Sequence, residues 1–379
     1  LYGRLVNRVA GRRPARRSDW QTSTVGRARL RELGRTIGTL PTGPWNAITD
    51  VTGIRVGHAT VVRDRPTVAR TGVTIVAPRP DDERHDLCYA GIHSFNGNGE
   101  MTGAHWLAES GLLSGPIGIT STHQVGLVRD ELVAREIADD PEATWCLPVV
   151  GETWDGWLSD LHSFPLVAAD VRAAIDDLSD GSVTEGCVGG GTGMICHEFK
   201  GGIGTSSRAV DGWTVGVLVQ ANYGRRDLLR LDGDPIGRRI GTDVVPSPWD
   251  EPDLPSSIGD DTGSIIVVIA TDAPLLADQC VRLAKRATVG LARVGGTGAN
   301  SSGDIFLAFS TANRVPLRAA DPVTVRTLPA DRLSALFVAV AEAVEESIWN
   351  ALCVAETTQG QRGRIAHAVP HDLLVAAPR

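Results

Sequence analysis

DEPDLPSSIGDDTG (residues 250–263) runs without a break into SIIVVIA (264–270). The first half is acidic and punctuated by proline and glycine, the composition of a loop or linker. The second is a short unbroken apolar run, the pattern of a strand buried on both faces. Ser264 stands at the join. If the chain is opened between Gly263 and Ser264, one residue carries both a hydroxyl and a free α-amine. That amine, with a reference pKa of about 8, is able to act as a general base. The join alone says little, because most serines ahead of an apolar strand cap or turn the backbone.

Working outward, DGWTVGVLVQANYG (211–224) alternates. Trp213, Val215, Val217, Val219 and Ala221 take one face, and Thr214, Leu218, Gln220 and Asn222 the other, which leaves Asn222 at the strand end on the more polar side. GVTIVAP (72–78), IGIT (117–120), WCLPVV (145–150) and IFLAFS (305–310) also read as strands, and residues 51–63 as short strands around a turn. HSFNGNGEMTG (93–103), GCVGGGTG (186–193) and GGTGANSSGD (295–304) read as loops. Helical spacing predicts helices over 104–111, 127–139 (apolar side Leu127, Leu132, Val133, Ile137), 166–178, 275–290 and 330–350. Strands and helices mix without regular βαβ spacing. This favours two packed sheets flanked by helices over a doubly wound sheet.

Composition narrows the function classes. A chain of 379 residues, 42% hydrophobic, carries a sizeable core in one large domain or two. Its net charge of -8 argues against nucleic acid, since basic residues concentrate only in the first 35, which hold ten arginines and no lysine. Residues 1–39 are expected to be a basic, mobile arm with a helical patch near 25–33. No run of 18 apolar residues exists to span a membrane, and the arm lacks an apolar signal core. The six cysteines are scattered and expected to be free thiols in a reducing, cytoplasmic setting. No metal or cofactor is expected. The nine histidines form no HExxH, and nothing at ligand spacing follows His197-Glu198. The glycine loops lack the lysine of a phosphate-binding loop, a dinucleotide fingerprint fails, and GxSxG is absent.

Eight stretches carry a family resemblance: LPTGPWNAITDVTGIRVGH (40–58), NGNGEMTG (96–103), PVVGET (148–153), GTG (191–193), KGGIGTSSR (200–208), VQANYG (219–224), GSIIVVIATDAP (263–274) and SGDIFLAFST (302–311). In that order the chain resembles the self-processing aminopeptidases that include L-aminopeptidase/D-esterase and the β-peptidyl aminopeptidases. The resemblance implies an α/β fold, a four-layer αββα sandwich like the N-terminal-nucleophile hydrolases but with its own topology. It implies one catalytic domain over 40–379, cut between Gly263 and Ser264 into an α fragment (1–263) and a β fragment (264–379) that stay together in a homo-oligomer such as a tetramer. Short peptides and aminoacyl amides or esters are the implied substrates.

The resemblance also assigns roles. Ser264 matches the nucleophile and Gly263 the residue before the cut. Asn222 matches the oxyanion donor, and Ser302 and Asp304 the serine–carboxylate pair that orients the nucleophile or relays a proton. Glu152 matches the acid that receives the substrate's ammonium. Trp154 replaces a tyrosine of relatives that act on ordinary L-peptides. An indole is no acceptor but walls a pocket, and β-peptide specialists also lack the tyrosine. Trp106 and Trp157 are expected in the core or a pocket wall. The competing readings are a β-aminoacyl or D-aminoacyl specialist, an inactive amine-binding protein of the same shape, and a small-molecule acyltransferase.

Overall fold

The computed structural model describes residues 27–83, 85–142, 145–250 and 263–375. Its strands are β1 (Arg55–Arg63), β2 (Ala69–Ala77), β3 (Asp86–Gly97), β4 (Leu112–Leu113), β5 (Ile117–Ser121), β6 (Val149–Thr153), β7 (Ile195–Cys196), β8 (Phe199–Lys200), β9 (Gly202–Val210), β10 (Trp213–Asn222), β11 (Gly263–Thr271) and β12 (Ser302–Pro316). One sheet runs β1-β2-β5-β6 and the other β4-β3-β12-β11-β10-β9. Strand β11 pairs antiparallel with β10 and parallel with β12.

The α-helices are α1 (Ala104–Ser110), α2 (Val125–Asp139), α3 (Ala168–Asp176), α4 (Ala277–Ala284), α5 (Ala287–Val294) and α6 (Leu333–Val354), and a short two-stranded ribbon, Thr358–Gln359 with Ile365–Ala366, follows α6. Three apolar interfaces define four layers. Val73, Ile75 and Val150 of the smaller sheet pack with Val128, Leu132 and Val171 of α2 and α3. Val76, Ile117 and Ile119 meet Leu218, Ile266, Val268 and Leu307 between the sheets. Val217, Ile265, Val267 and Phe306 face Leu283, Leu291, Val340 and Val344 of α4, α5 and α6. The order is helices, sheet, sheet, helices, as expected from the resemblance. β11 is buried on both faces, which is why its sequence is uniformly apolar.

Several local expectations are corrected. The strands expected around a turn over 51–63 form one continuous β1. Residues 93–97 belong to β3 rather than to a loop, because they pair with β12. In 145–150 only Val149 and Val150 are strand. The helix expected over 275–290 is two helices, α4 and α5. Helix α2 buries Val125, Val128 and Leu132 and leaves Ile137 exposed, because its core face is centred on the 125–128–132 stripe rather than on Leu127, Val133 and Ile137. Residues 225–250 contribute the buried side chains of Leu229, Leu231, Ile236 and Ile240 to the helix-side core. The arm boundary at 39 also moves. Leu30 and Ile37 are buried, Arg27 donates to the Cys353 and Val369 carbonyls, and Arg31 pairs with Glu346 at 2.7 Å. Residues 27–39 are therefore part of the body. The arm's residues 1–26 and the acidic loop 251–262 lie outside the described residues.

Candidate active site

The register of β11 builds the site. Asn222 lies directly opposite Ser264 in the antiparallel β10–β11 pair, so their side chains leave the sheet on the same face. That face is the gap between the sheets, since Ile266, in step with Ser264, belongs to the inter-sheet core. Asn222 Nδ2 donates to Ser264 Oγ at 3.3 Å, and the main-chain N–H of Trp154 donates to the same oxygen at 3.3 Å. Asn222 Oδ1 accepts from the Ile195 N–H at 2.8 Å, which fixes the orientation of the amide. Two N–H donors thus converge beside a buried serine hydroxyl, the geometry that stabilises negative charge developing on an oxygen.

Gly263 is required by space. A Cβ there would sit 2.9 Å from Tyr223 Cα. Its backbone is not in the left-handed region, so the need for glycine there is steric rather than conformational. Gly263 borders two cavities. One is lined by Trp154, Trp157, Trp249, Asn222 and Ile195. Trp157 stacks edge-on against Trp249 and is almost wholly buried. Trp154 therefore supplies a donor through its main chain and a wall through its indole, whereas Trp106 is exposed and absent from this lining.

The second cavity is lined by Gly263, Tyr223, Gly295, Ser302 and Asp304. Ser302 pairs with Gly263 in register and Asp304 with Ile265, a residue of the helix-side core. The two polar side chains therefore lie on the opposite face of the sheet from the Ser264 hydroxyl. Ser302 Oγ donates to Asp304 Oδ1 at 2.6 Å rather than to Ser264. Burial lifts the Asp304 carboxyl to about 6, opposed by the Ser302 hydroxyl. The structure thus brings Ser264, Asn222 and Trp154 into contact, and sets Ser302 and Asp304 across the strand beside the same peptide bond.

Glu152 sits near the end of β6, buried to 4% exposure. Its Oε1 accepts from the Glu100 N–H at 2.9 Å and its Oε2 from the Thr122 hydroxyl. Burial pushes its pKa up, and those two donors pull it back. No arginine or lysine among the described residues pairs with it. A buried carboxylate held by neutral donors alone is poised for a cation. Composition and pattern did not single out Thr122, Glu100 or the Trp154 N–H. Main-chain donors leave no mark in a sequence, and Thr122 reaches Glu152 only through the β5–β6 pairing. A separate cluster, His85, Glu136 and Asp140, brings donor atoms within 4.8 Å of one another. Arg318 already pairs with Asp140 at 2.7 Å.

A layered αββα body with a buried serine at the head of a central strand, faced by an amide donor, is the design of a serine hydrolase of the N-terminal-nucleophile kind. The chain matches Peptidase family S58 over residues 46–366, and it belongs to that family of self-processing serine aminopeptidases. It is 43% identical to the "Beta-peptidyl aminopeptidase BapA" of Sphingosinicella microcystinivorans, across 92% of this chain and 91% of that protein. Among solved structures it is similar to a Burkholderia sp. beta-aminopeptidase, with 49% identity, a TM-score of 0.85 and coverage of 92% and 97%. It is also similar to the L-aminopeptidase D-Ala-esterase/amidase of Ochrobactrum anthropi, described as a variant of the Ntn hydrolase fold, with 42% identity, a TM-score of 0.83 and coverage of 91% and 96%. Among the described residues no helix is long and apolar enough to cross a membrane.

Proposed function

We propose that this aminopeptidase is activated by cleavage between Gly263 and Ser264, and that the Ser264 hydroxyl is its nucleophile. In activation, Ser264 Oγ bonds to the Gly263 carbonyl carbon, the C–N bond breaks, and the nitrogen leaves as the protonated α-amine. Water then hydrolyses the ester, freeing a Gly263 carboxylate and the hydroxyl. In turnover the same oxygen bonds to the carbonyl carbon of an aminoacyl amide or ester as the new amine takes its proton, the amine or alcohol leaves with that proton, and water then hydrolyses the acyl-serine ester to free the acid and the hydroxyl. The Asn222 amide and the Trp154 N–H hold the oxyanion, a contribution of roughly 3 kcal/mol for such a donor. The Ser302–Asp304 pair beside the broken bond takes up and returns the proton. Glu152 binds the substrate's ammonium, which selects chains with a free N-terminus. The observation that carries this reading is the Asn222–Ser264 register with two donors on one oxygen.

The fragments remain together on this reading because β10 and β11, which would belong to different fragments, are neighbours in one sheet. A homo-oligomer such as a tetramer is part of the same proposal. A preference for β-aminoacyl substrates is favoured over L- or D-aminoacyl ones by two things: relatives at 43% and 49% identity are named for β-aminopeptidase activity, and an indole stands at Trp154. The test uses intact mass and a panel of L-, D- and β-aminoacyl p-nitroanilides. Wild type is expected as two fragments with highest kcat/KM on the β-aminoacyl member. Ser264→Ala is expected as one inactive chain of 40.1 kDa. Fragments cut at 263/264 in Ser264→Ala would remove the mechanism, and a flat or L-selective panel would remove the substrate preference.

A further inference from the structure

Lys200 is one of only two lysines among 37 basic residues of this chain, and it is completely buried. A lysine is costly to bury, and burial pushes its pKa down. Among the described residues no carboxylate pairs with its ammonium, although the Cys187 thiol lies within its hydrogen-bonding range. Nζ instead donates to three main-chain carbonyls: Gly201 at 2.8 Å, Met194 at 2.9 Å and Gly191 at 3.3 Å. The local fold delivers it there. Strands β7 and β8 form a hairpin whose two turn residues, His197 and Glu198, both have positive φ, and the register sets Lys200 opposite Ile195.

The Met194 carbonyl and the Ile195 N–H are two ends of one peptide group. The carbonyl end takes the Lys200 ammonium, and the N–H end donates to Asn222 Oδ1 at 2.8 Å. The far side of the Asn222 amide donates to Ser264 Oγ. A positive charge is thus connected to the nucleophile's oxygen through two amides in series. Each amide is polarised in the sense that makes its N–H a better donor, because hydrogen bonds in a low-dielectric interior reinforce one another along a chain. The same contact holds the Met194–Ile195 peptide, and therefore the Asn222 amide, in the orientation that aims Nδ2 rather than Oδ1 at Ser264.

We propose that Lys200 is a positioning residue for the transition state, acting through the Met194–Ile195 peptide on the Asn222 amide. This deepens the reading of Asn222 as the oxyanion donor and rests on it. Lys200 touches neither substrate nor reacting atoms, so its effect belongs in kcat and requires Asn222.

The decisive experiment is a double-mutant cycle of Lys200→Met and Asn222→Ala, assayed on the best anilide of the panel with folding checked by thermal melting. Lys200→Met is expected to lower kcat about 10- to 100-fold, below the 10²–10³ typical of removing a donor itself, with KM within twofold. In the Asn222→Ala background the same substitution is expected to change kcat less than threefold. Equal losses in both backgrounds, or an unchanged kcat in folded Lys200→Met, would overturn the proposal. If Lys200→Met fails to fold or to cleave itself, Lys200→Gln, which keeps neutral N–H donors without the charge, takes its place in the cycle with an intermediate loss expected. Failure of both variants assigns Lys200 to stability alone and also overturns it. Wild-type kcat in Asn222→Ala alone would sink the oxyanion reading instead, so the two failures are distinct.

Discussion

Replacing Glu152 with glutamine isolates the charge proposed to hold the substrate's amine. The carboxylate is 4% exposed, bonded to the Glu100 N–H and the Thr122 hydroxyl, and has no arginine or lysine partner among the described residues, although His123 is close enough to act on its charge. Glutamine keeps the shape and one acceptor oxygen, while Thr122 can turn to accept from the new amide. Folding should therefore be spared. The sign on stability follows from the raised pKa. The folded chain holds this proton more tightly than the unfolded one. The group's contribution is fully present below its unfolded value of about 4 and is lost as pH rises through the folded value. At neutral pH the wild type carries that loss and the glutamine variant does not, so the melting temperature is expected to be unchanged or slightly higher. Substrate binding responds the other way. Losing the anionic partner of a desolvated ammonium costs about 2–5 kcal/mol, and a central value of about 3 corresponds to roughly a 150-fold drop in kcat/KM on free-amine anilides. Steady-state kinetics and differential scanning fluorimetry on the same preparation read both quantities. A kcat/KM within threefold of wild type, at unchanged stability, would refute the role of Glu152.

Other predictions test different links. With Asp304 lifted to about 6, kcat is expected to fall as pH drops below 6 and the acceptor is protonated; a pH–rate profile of Asp304→Asn should show low activity without that limb. For stability the same raised value means the protonated form is favoured by folding, so this group's contribution is present below about 4 and lost through about 6. Gly263→Ala pushes a methyl group to 2.9 Å from Tyr223 Cα and is expected to slow self-cleavage at least about tenfold, read by timed intact mass; unaltered processing would show that the strand end yields. Arg208, fully buried, joins Glu342 at 3.0 Å and Glu346 at 2.7 Å. Arg208→Met leaves two buried carboxylates short of a partner and is expected to destabilise by about 3–5 kcal/mol in urea unfolding, with no change in the kcat of the folded fraction.

Two strands of the site are legible because they rest on local hydrophobic pattern, whereas the roles of its residues come from the family resemblance. The run from Ser264 is apolar on both faces, and β10 alternates cleanly, so the strand that opens near Ser264 and the face that carries Asn222 follow from local pattern. β3 was missed, although it is a direct partner of β12. Its residues 86–97, DLCYAGIHSFNG, show no regular alternation, and Gly91 is there because the backbone of α4 at Val281 lies where its Cβ would be. The break between α4 and α5 was hidden because Leu283, Ala284 and Ala287 continue one apolar stripe across it.

By itself the sequence determined which segments are apolar enough to be buried, since that depends on side-chain type and short-range period, while the residues proposed to bear the chemistry follow from the family resemblance. Only the tertiary structure decided how they meet. It set Asn222 opposite Ser264, turned Ser302 and Asp304 to the far face, supplied a main-chain N–H from Trp154, and drove the Lys200 ammonium against the peptide that holds Asn222. These are matters of pairing between segments tens to hundreds of residues apart, where one step of register reverses a side chain's face and a backbone donor has no letter of its own.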